Sequence, residues 1–292
     1  MKVLVVLLSL LHYVYGEHCM VQPVNGHVSA QDLIDAGVTT IIGTTSMTYN
    51  IYRNTGFYKC NQLKSIEIPD TVTEIGNYAF YNAAALESVD FSNATSLKTI
   101  GIGAFKLCTN LNSVILPDGL IEIGSSAFEK SALTSVTIPS SVTEIKNDAF
   151  WDCHDLVSVD FSHAVNLTTV GIYAFQDTRL VAVDLSKTAL TKIRLGMFEG
   201  CITLTSVTLP DDLTEIGQEA FKNTGLTSVT VPVCTHVVDD AFQSTTTVSK
   251  YFSRGCLDNY VSDGITSYAE ILSSFTPQEL KDAYRAKNAC PN

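Results

Sequence analysis

Apolar and polar positions along this chain repeat on a fixed frame. One mark of the frame is L-x-x-V/I-x-hydrophobic, which starts at Leu63, Leu86, Leu111, Leu133, Leu156, Leu180, Leu204 and Leu226. Its last two apolar residues stand one place apart, as in Ile66-Glu67-Ile68 and Val136-Thr137-Ile138. That alternation predicts a short strand with one face inward, because successive strand side chains point to opposite faces. Five copies close on Pro69, Pro117, Pro139, Pro210 and Pro232. Proline has no N–H to give a ladder and so ends the strand.

A second mark lies between the strands. Phe57, Phe80, Phe105, Phe128, Phe150, Phe175, Phe198, Phe221 and Phe242 follow one another at intervals of 23, 25, 23, 22, 25, 23, 23 and 21 residues. Seven of the nine come directly after alanine. A single globular core gives no reason for a large aromatic at constant spacing. A chain that coils into stacked turns does, since each turn must fill the same place in the core. A third mark precedes the Ala-Phe segment: Ile75-Gly76, Ile100-Gly101, Ile123-Gly124, Val170-Gly171 and Ile216-Gly217. Glycine there is expected to allow the turn. Ile145-Lys146 and Ile193-Arg194 keep only the apolar residue.

Joined together, L-x-x-V-x-L-P-x-x-hydrophobic-x-x-I-G-x-x-A-F-x-x-C resembles the leucine-rich repeat of the BspA-like class over residues 57–242. The resemblance implies a repeat solenoid, right-handed and gently curved. Its parallel β-sheet would line the concave face, with short irregular or helical turns on the convex side. It also implies extracellular or surface proteins of bacteria and protists, often adhesive toward host matrix proteins. The spacing independently favours parallel stacking, because parallel strands need a crossover and a turn of about 23 residues supplies one.

Repeat length varies at one place. From leading leucine to phenylalanine is 17 residues in the proline-closed copies at Leu63, Leu111, Leu133 and Leu204. It is 19, 19 and 18 where Ser92, Ser162 and Ser186 replace the proline. Insertions are therefore confined to the loop after the strand. Both N-glycosylation sequons, Asn93-Ala94-Thr95 and Asn166-Leu167-Thr168, fall in those longer loops.

Outside the repeats the chain changes character. Lys2, the apolar run Val3–Leu11 and Val14-Tyr15-Gly16 predict a signal peptide over residues 1–16, too short to span a bilayer as a helix. Residues 17–56 are expected to form an N-terminal cap with one degenerate turn at Val38–Gly43. Residues 243–292 would form a C-terminal cap ending in a helix, with Thr276 as N-cap, Pro277 at its first position and Glu279 completing the capping box. No later segment reads as membrane-spanning, so the expected location is secreted or extracellular, with any surface attachment through a partner.

The eight cysteines divide in the same way. Cys60, Cys108, Cys153 and Cys201 each lie three residues after a repeat phenylalanine, where Ala83, Ser131, Thr178 and Thr224 stand in other turns. They are small core plugs two turns apart, beyond the reach of a disulfide to one another. Cys19, Cys234, Cys256 and Cys290 lie near the ends, where an oxidising compartment permits staples. Cys256–Cys290 and Cys19–Cys60 are the candidate bridges, leaving three core thiols free.

Charge and chemistry narrow the function. A formal charge of −12 with no basic stripe argues against nucleic acid as a partner, and 46% hydrophobic content excludes disorder. The histidines lack metal spacing, and no G-x-S-x-G, H-E-x-x-H or phosphate-binding glycine loop occurs. The sequence thus predicts no enzyme, no cofactor and no metal. What remains is the outward side of the strands, where Glu67, Asp90, Ile115, Thr137, Asp160, Asp184, Thr208 and Thr230 form one row. Like charges on neighbouring strands, Glu67 beside Asp90 and Asp160 beside Asp184, are destabilising unless something uses them. Asp160 itself is expected to be dispensable for stability. The predicted function is protein–protein recognition or adhesion through this face and its loops; the alternative is a structural matrix or coat component assembling through its repeats.

Overall fold

The computed structural model describes residues 27–29, 32, 40–41 and 56–251. The chain is a parallel β-solenoid, and residues 56–251 contain no helix. The L-x-x-V segments form the strands Ser65–Glu67, Ser88–Asp90, Ser113–Val114, Ser135–Thr137, Ser158–Asp160, Ala182–Asp184, Ser206–Thr208 and Ser228–Pro232. Neighbours pair in parallel at identical repeat positions, as in Ser65↔Ser88, Ser88↔Ser113, Ser135↔Ser158 and Ala182↔Ser206. Among the described residues this row falls into four hydrogen-bonded stretches.

The Ile-Gly mark turns out to hold a second row of strands. Glu74–Ile75, Thr99–Ile100, Glu122–Ile123, Glu144–Ile145 and Thr169–Val170 join Thr40–Ile41 in one six-stranded parallel sheet. Lys192–Ile193, Glu215–Ile216 and His236–Val237 continue it as a three-stranded sheet. Two residues are too few for a visible alternation, so the sequence showed only the inward member of each pair. Both rows run into the stretches expected as caps. His27–Val28 pairs with Ser65–Ile66, Thr40–Ile41 with Glu74–Ile75, and Thr247–Tyr251 with Ser228–Pro232.

The glycine of that mark also has a different role from the one expected. A Cβ on Gly124 would sit 2.7 Å from the backbone of Gly101, and one on Gly171 would sit 2.4 Å from the amide nitrogen of Asn147. Neither glycine has a positive φ. They permit close approach of consecutive turns rather than a left-handed turn.

Left-handed backbone instead brackets the phenylalanine. Residues two before and two after it have positive φ in turn after turn, for example Ser126 (56°) and Lys130 (57°) around Phe128. With φ so placed, alternate amides point along the array. Ser126, Phe128 and Lys130 donate to the carbonyls of Asn147, Ala149 and Trp151 in the next turn at 2.9, 2.8 and 2.9 Å. Left-handed conformation costs about 1–2 kcal/mol per non-glycine residue, and these bonds offset it. Asn and Asp tolerate it best, and Asn82, Asp148, Asp152, Asp177 and Asn223 are among the residues used.

In the core the phenylalanines stack from Phe57 to Phe242. Consecutive ring centroids are 4.8–5.6 Å apart and the planes lie within 12° of parallel. That spacing is close to the ~4.8 Å between paired strands, so one repeat distance serves backbone and side chains alike. Phe91 and Phe161, from the two longest loops, meet Phe105 and Phe175 edge-on.

Candidate binding face

The residues predicted as a row stand in line along the first row of strands. Asp90, Ile115, Thr137, Asp160, Asp184, Thr208 and Thr230 are all exposed, while Glu67 is half-buried. The residues between them (Ile66, Val89, Val114, Val136, Val159 and Val183) are buried in the same hydrophobic core as the phenylalanines. Strand pairing sets the register: Glu67 opposite Asp90, Thr137 opposite Asp160, Asp184 opposite Thr208. Thr230 is tied to Ser249 through their hydroxyls at 3.0 Å.

The aspartates have a local task. Asp90, Asp160 and Asp184 each accept the amide N–H two residues on, from Ser92, Ser162 and Ser186, at 2.8, 2.8 and 2.9 Å. These are the copies that lack the closing proline, so the carboxylate turns the chain where proline does so elsewhere. The bonds to Ser162 hold the Asp160 carboxyl below the usual carboxylate range. Asp160 therefore contributes to stability, contrary to the reading from sequence. Like charges also meet by strand register at one of the two expected places. Glu67 and Asp90 are direct neighbours, but Asp160 and Asp184 stand on either side of a break between hydrogen-bonded stretches.

Other polar side chains pair between turns. On the second row of strands Lys146 binds Glu122 at 2.8 Å and Lys192 binds Glu215 at 2.6 Å, which lowers the Glu215 pKa. One place after the phenylalanine, Tyr58 stacks on Tyr81, Lys106 meets Glu129 at 2.6 Å, and Gln176 donates to Glu199. Glu129 is only 3% exposed. Sequence reading missed these pairs, although the spacing of one repeat between partners carries the signal.

Cys108, Cys153 and Cys201 are free, buried thiols. Each donates to a phenylalanine carbonyl of the preceding turn (Phe80, Phe128 and Phe175) at 3.0–3.1 Å. Burial raises all three thiols, Cys153 to about 12 and Cys201 to about 11. Cys60 and Cys234 are not free thiols. Cys19, Cys256, Cys290 and the helix expected at Thr276–Glu279 lie outside the described residues, as does the segment 1–16.

Of the sequons, Asn93 is exposed, and Asn166 is exposed with its Nδ2 donating to the Ser140 carbonyl at 2.9 Å. His154 Nε2 lies 2.6 Å from Asp152 Oδ1. Among the described residues no cluster of three or more His, Cys, Asp or Glu could hold a metal ion. No helix among them is long and apolar enough to cross a membrane.

The BspA-type leucine-rich-repeat region profile matches in six copies across residues 40–157 and 122–249. The chain belongs to that family. This BspA-type chain is also similar in structure to a leucine-rich repeat protein from Bacteroides ovatus, at 27% identity and a TM-score of 0.58. That similarity covers 74% of this chain and 61% of the other, so the match spans less than two thirds of that protein's length. A T. pallidum leucine-rich repeat protein is 30% identical over 55% of this chain and 76% of its own, with a TM-score of 0.49. A leucine-rich cell surface protein from Faecalibacterium prausnitzii is 18% identical over 80% of this chain and 89% of its own, with a TM-score of 0.29. No curated protein sequence matches.

Proposed function

We propose that this BspA-type chain is a secreted, non-enzymatic binding protein that recognises a protein partner through the outward side of its first row of strands and the loops beside it. The observation that carries this reading is the row from Asp90 to Thr230, exposed side chains held at one-strand intervals by a rigid parallel array. Such a face offers an extended contact surface at little cost in ordering. Residues 1–16 act as the signal peptide, 17–56 and 243–292 as caps around the solenoid 57–242. Cys60 with Cys19 closes the N-terminal end as a disulfide, and Cys234, itself disulfide-bonded, takes Cys256 or Cys290 at the C-terminal end in place of the Cys256–Cys290 pair expected from sequence. In a glycosylating host Asn93 and Asn166 carry sugar.

The test is a capture experiment from extracellular matrix and cell-surface extracts. Wild type runs beside a Glu67→Gln/Asp90→Asn/Asp160→Asn/Asp184→Asn variant. Asparagine still accepts the serine N–H, so the variant removes charge and keeps the turns. Partners lost in the variant place recognition on the strand face. Partners retained move it to loops or caps. Self-assembly without any partner, seen by sedimentation, favours the structural-component reading.

A further inference from the structure

One place in the row is not polar. Ile115 is 83% exposed between positions held by Asp90 and Thr137. It lines an open groove of about 440 Å³ together with Phe91, Thr95, Leu116, Pro117 and Asp118. The groove has a cause in loop length. The turn at Leu86 has the longer, serine-started loop, and the next turn at Leu111 closes tightly on Pro117. A long loop beside a short corner leaves a step, with Ile115 standing exposed at its edge and Phe91, Leu116 and Pro117 forming its buried floor.

We infer that this groove is the anchor pocket of the proposed face, and that its occupant is an extended segment of a protein partner carrying a bulky apolar side chain next to Lys or Arg. The inference rests on the binding-protein reading above. Shape and polarity select the apolar residue, since Phe91, Ile115, Leu116 and Pro117 are half of the lining. Charge selects the basic neighbour. Asp118 lines the groove, Asp90 stands beside Ile115 on the adjoining strand, and the whole chain carries a formal −12. No Lys or Arg is among the lining residues; one cation, Lys98, reaches the groove's Gly119 and donates from Nζ to its carbonyl at 3.3 Å. A pocketed apolar anchor with a charged rim is the usual arrangement of an interface hot spot.

The test pans a randomised peptide library against the full chain. The chain is made in a host without N-glycosylation, because Asn93 borders the groove. Selected peptides are then titrated by fluorescence anisotropy against wild type, Ile115→Asp, Asp118→Asn and Asp160→Asn/Asp184→Asn. Ile115 is so exposed that its substitution leaves the fold intact, which a matching melting temperature checks. The expected result is enrichment of aliphatic or aromatic residues beside Lys or Arg. Affinity then falls by about tenfold or more in Ile115→Asp and about threefold in Asp118→Asn, and by clearly less than in Ile115→Asp in the double variant. Peptides indifferent to Ile115→Asp but lost in the double variant would overturn the groove and leave the strand-face reading standing. No enrichment on any form would overturn both. Self-association abolished by Ile115→Asp would replace the partner segment with a second copy of the chain.

Discussion

At the scale of single residues, the same side chain answers to its turn before it answers to a ligand. Asp160 accepts the Ser162 amide where other copies have proline. Asp160→Ala should therefore cost about 0.5 kcal/mol at neutral pH, small because the bond is exposed and screened. Its folded pKa is lowered, so the contribution is present above the ordinary aspartate value and is lost as pH falls through the folded one. Urea melts of wild type and variant should differ at pH 7 and converge in acid. The core thiols have the opposite sign. Their folded pKa values are raised, so the folded state holds its thiol protons longer than the unfolded chain. Stability is then unaffected below the free thiol value and declines as pH rises above about 8.5. A Cys108→Ala/Cys153→Ala/Cys201→Ala variant should show a flatter decline between about pH 9 and 11 in the same melts.

At the scale of elements, contact between consecutive turns decides what is tolerated. Gly171→Ala would drive a Cβ into the backbone of Lys146 and Asn147, which cannot swing aside as a side-chain tip would. A loss of about 1–3 kcal/mol in thermal or denaturant unfolding is expected. The pair of half-buried Lys106 and buried Glu129 tests inter-turn electrostatics. Lys106→Met alone should cost about 1–3 kcal/mol, because it leaves a carboxylate in a 3% exposed site without its cation. Adding Glu129→Gln should recover part of that loss, and a double-mutant cycle by urea unfolding measures it.

At the scale of the whole molecule, the array has nearest-neighbour contacts and one shared aromatic stack. Phe150 touches the rings on both sides, at 5.3 Å to Phe128 and 5.2 Å to Phe175. Phe150→Ala should therefore destabilise the solenoid by about 3–5 kcal/mol and weaken the coupling between its halves. Guanidinium unfolding should show a broader or divided transition, and a single transition at the wild-type midpoint would count against the stack as the core's backbone. Function is read at this scale too. The strand face is one surface only because eight short strands hold their outward residues in line.

The solenoid, the first row of strands, the inward valines and the three free thiols are legible in the amino-acid sequence, because each depends on a position that recurs from turn to turn. A period is visible in one dimension. What only the tertiary structure decided are relations between turns. The Glu-Ile pairs form a second row of strands, the glycines admit a neighbouring backbone, and Asp160 bonds its own loop. The groove at Ile115 belongs with them, for it is made by the difference between two adjacent turns. Neither turn holds it alone, so a pattern that averages over repeats passes over it.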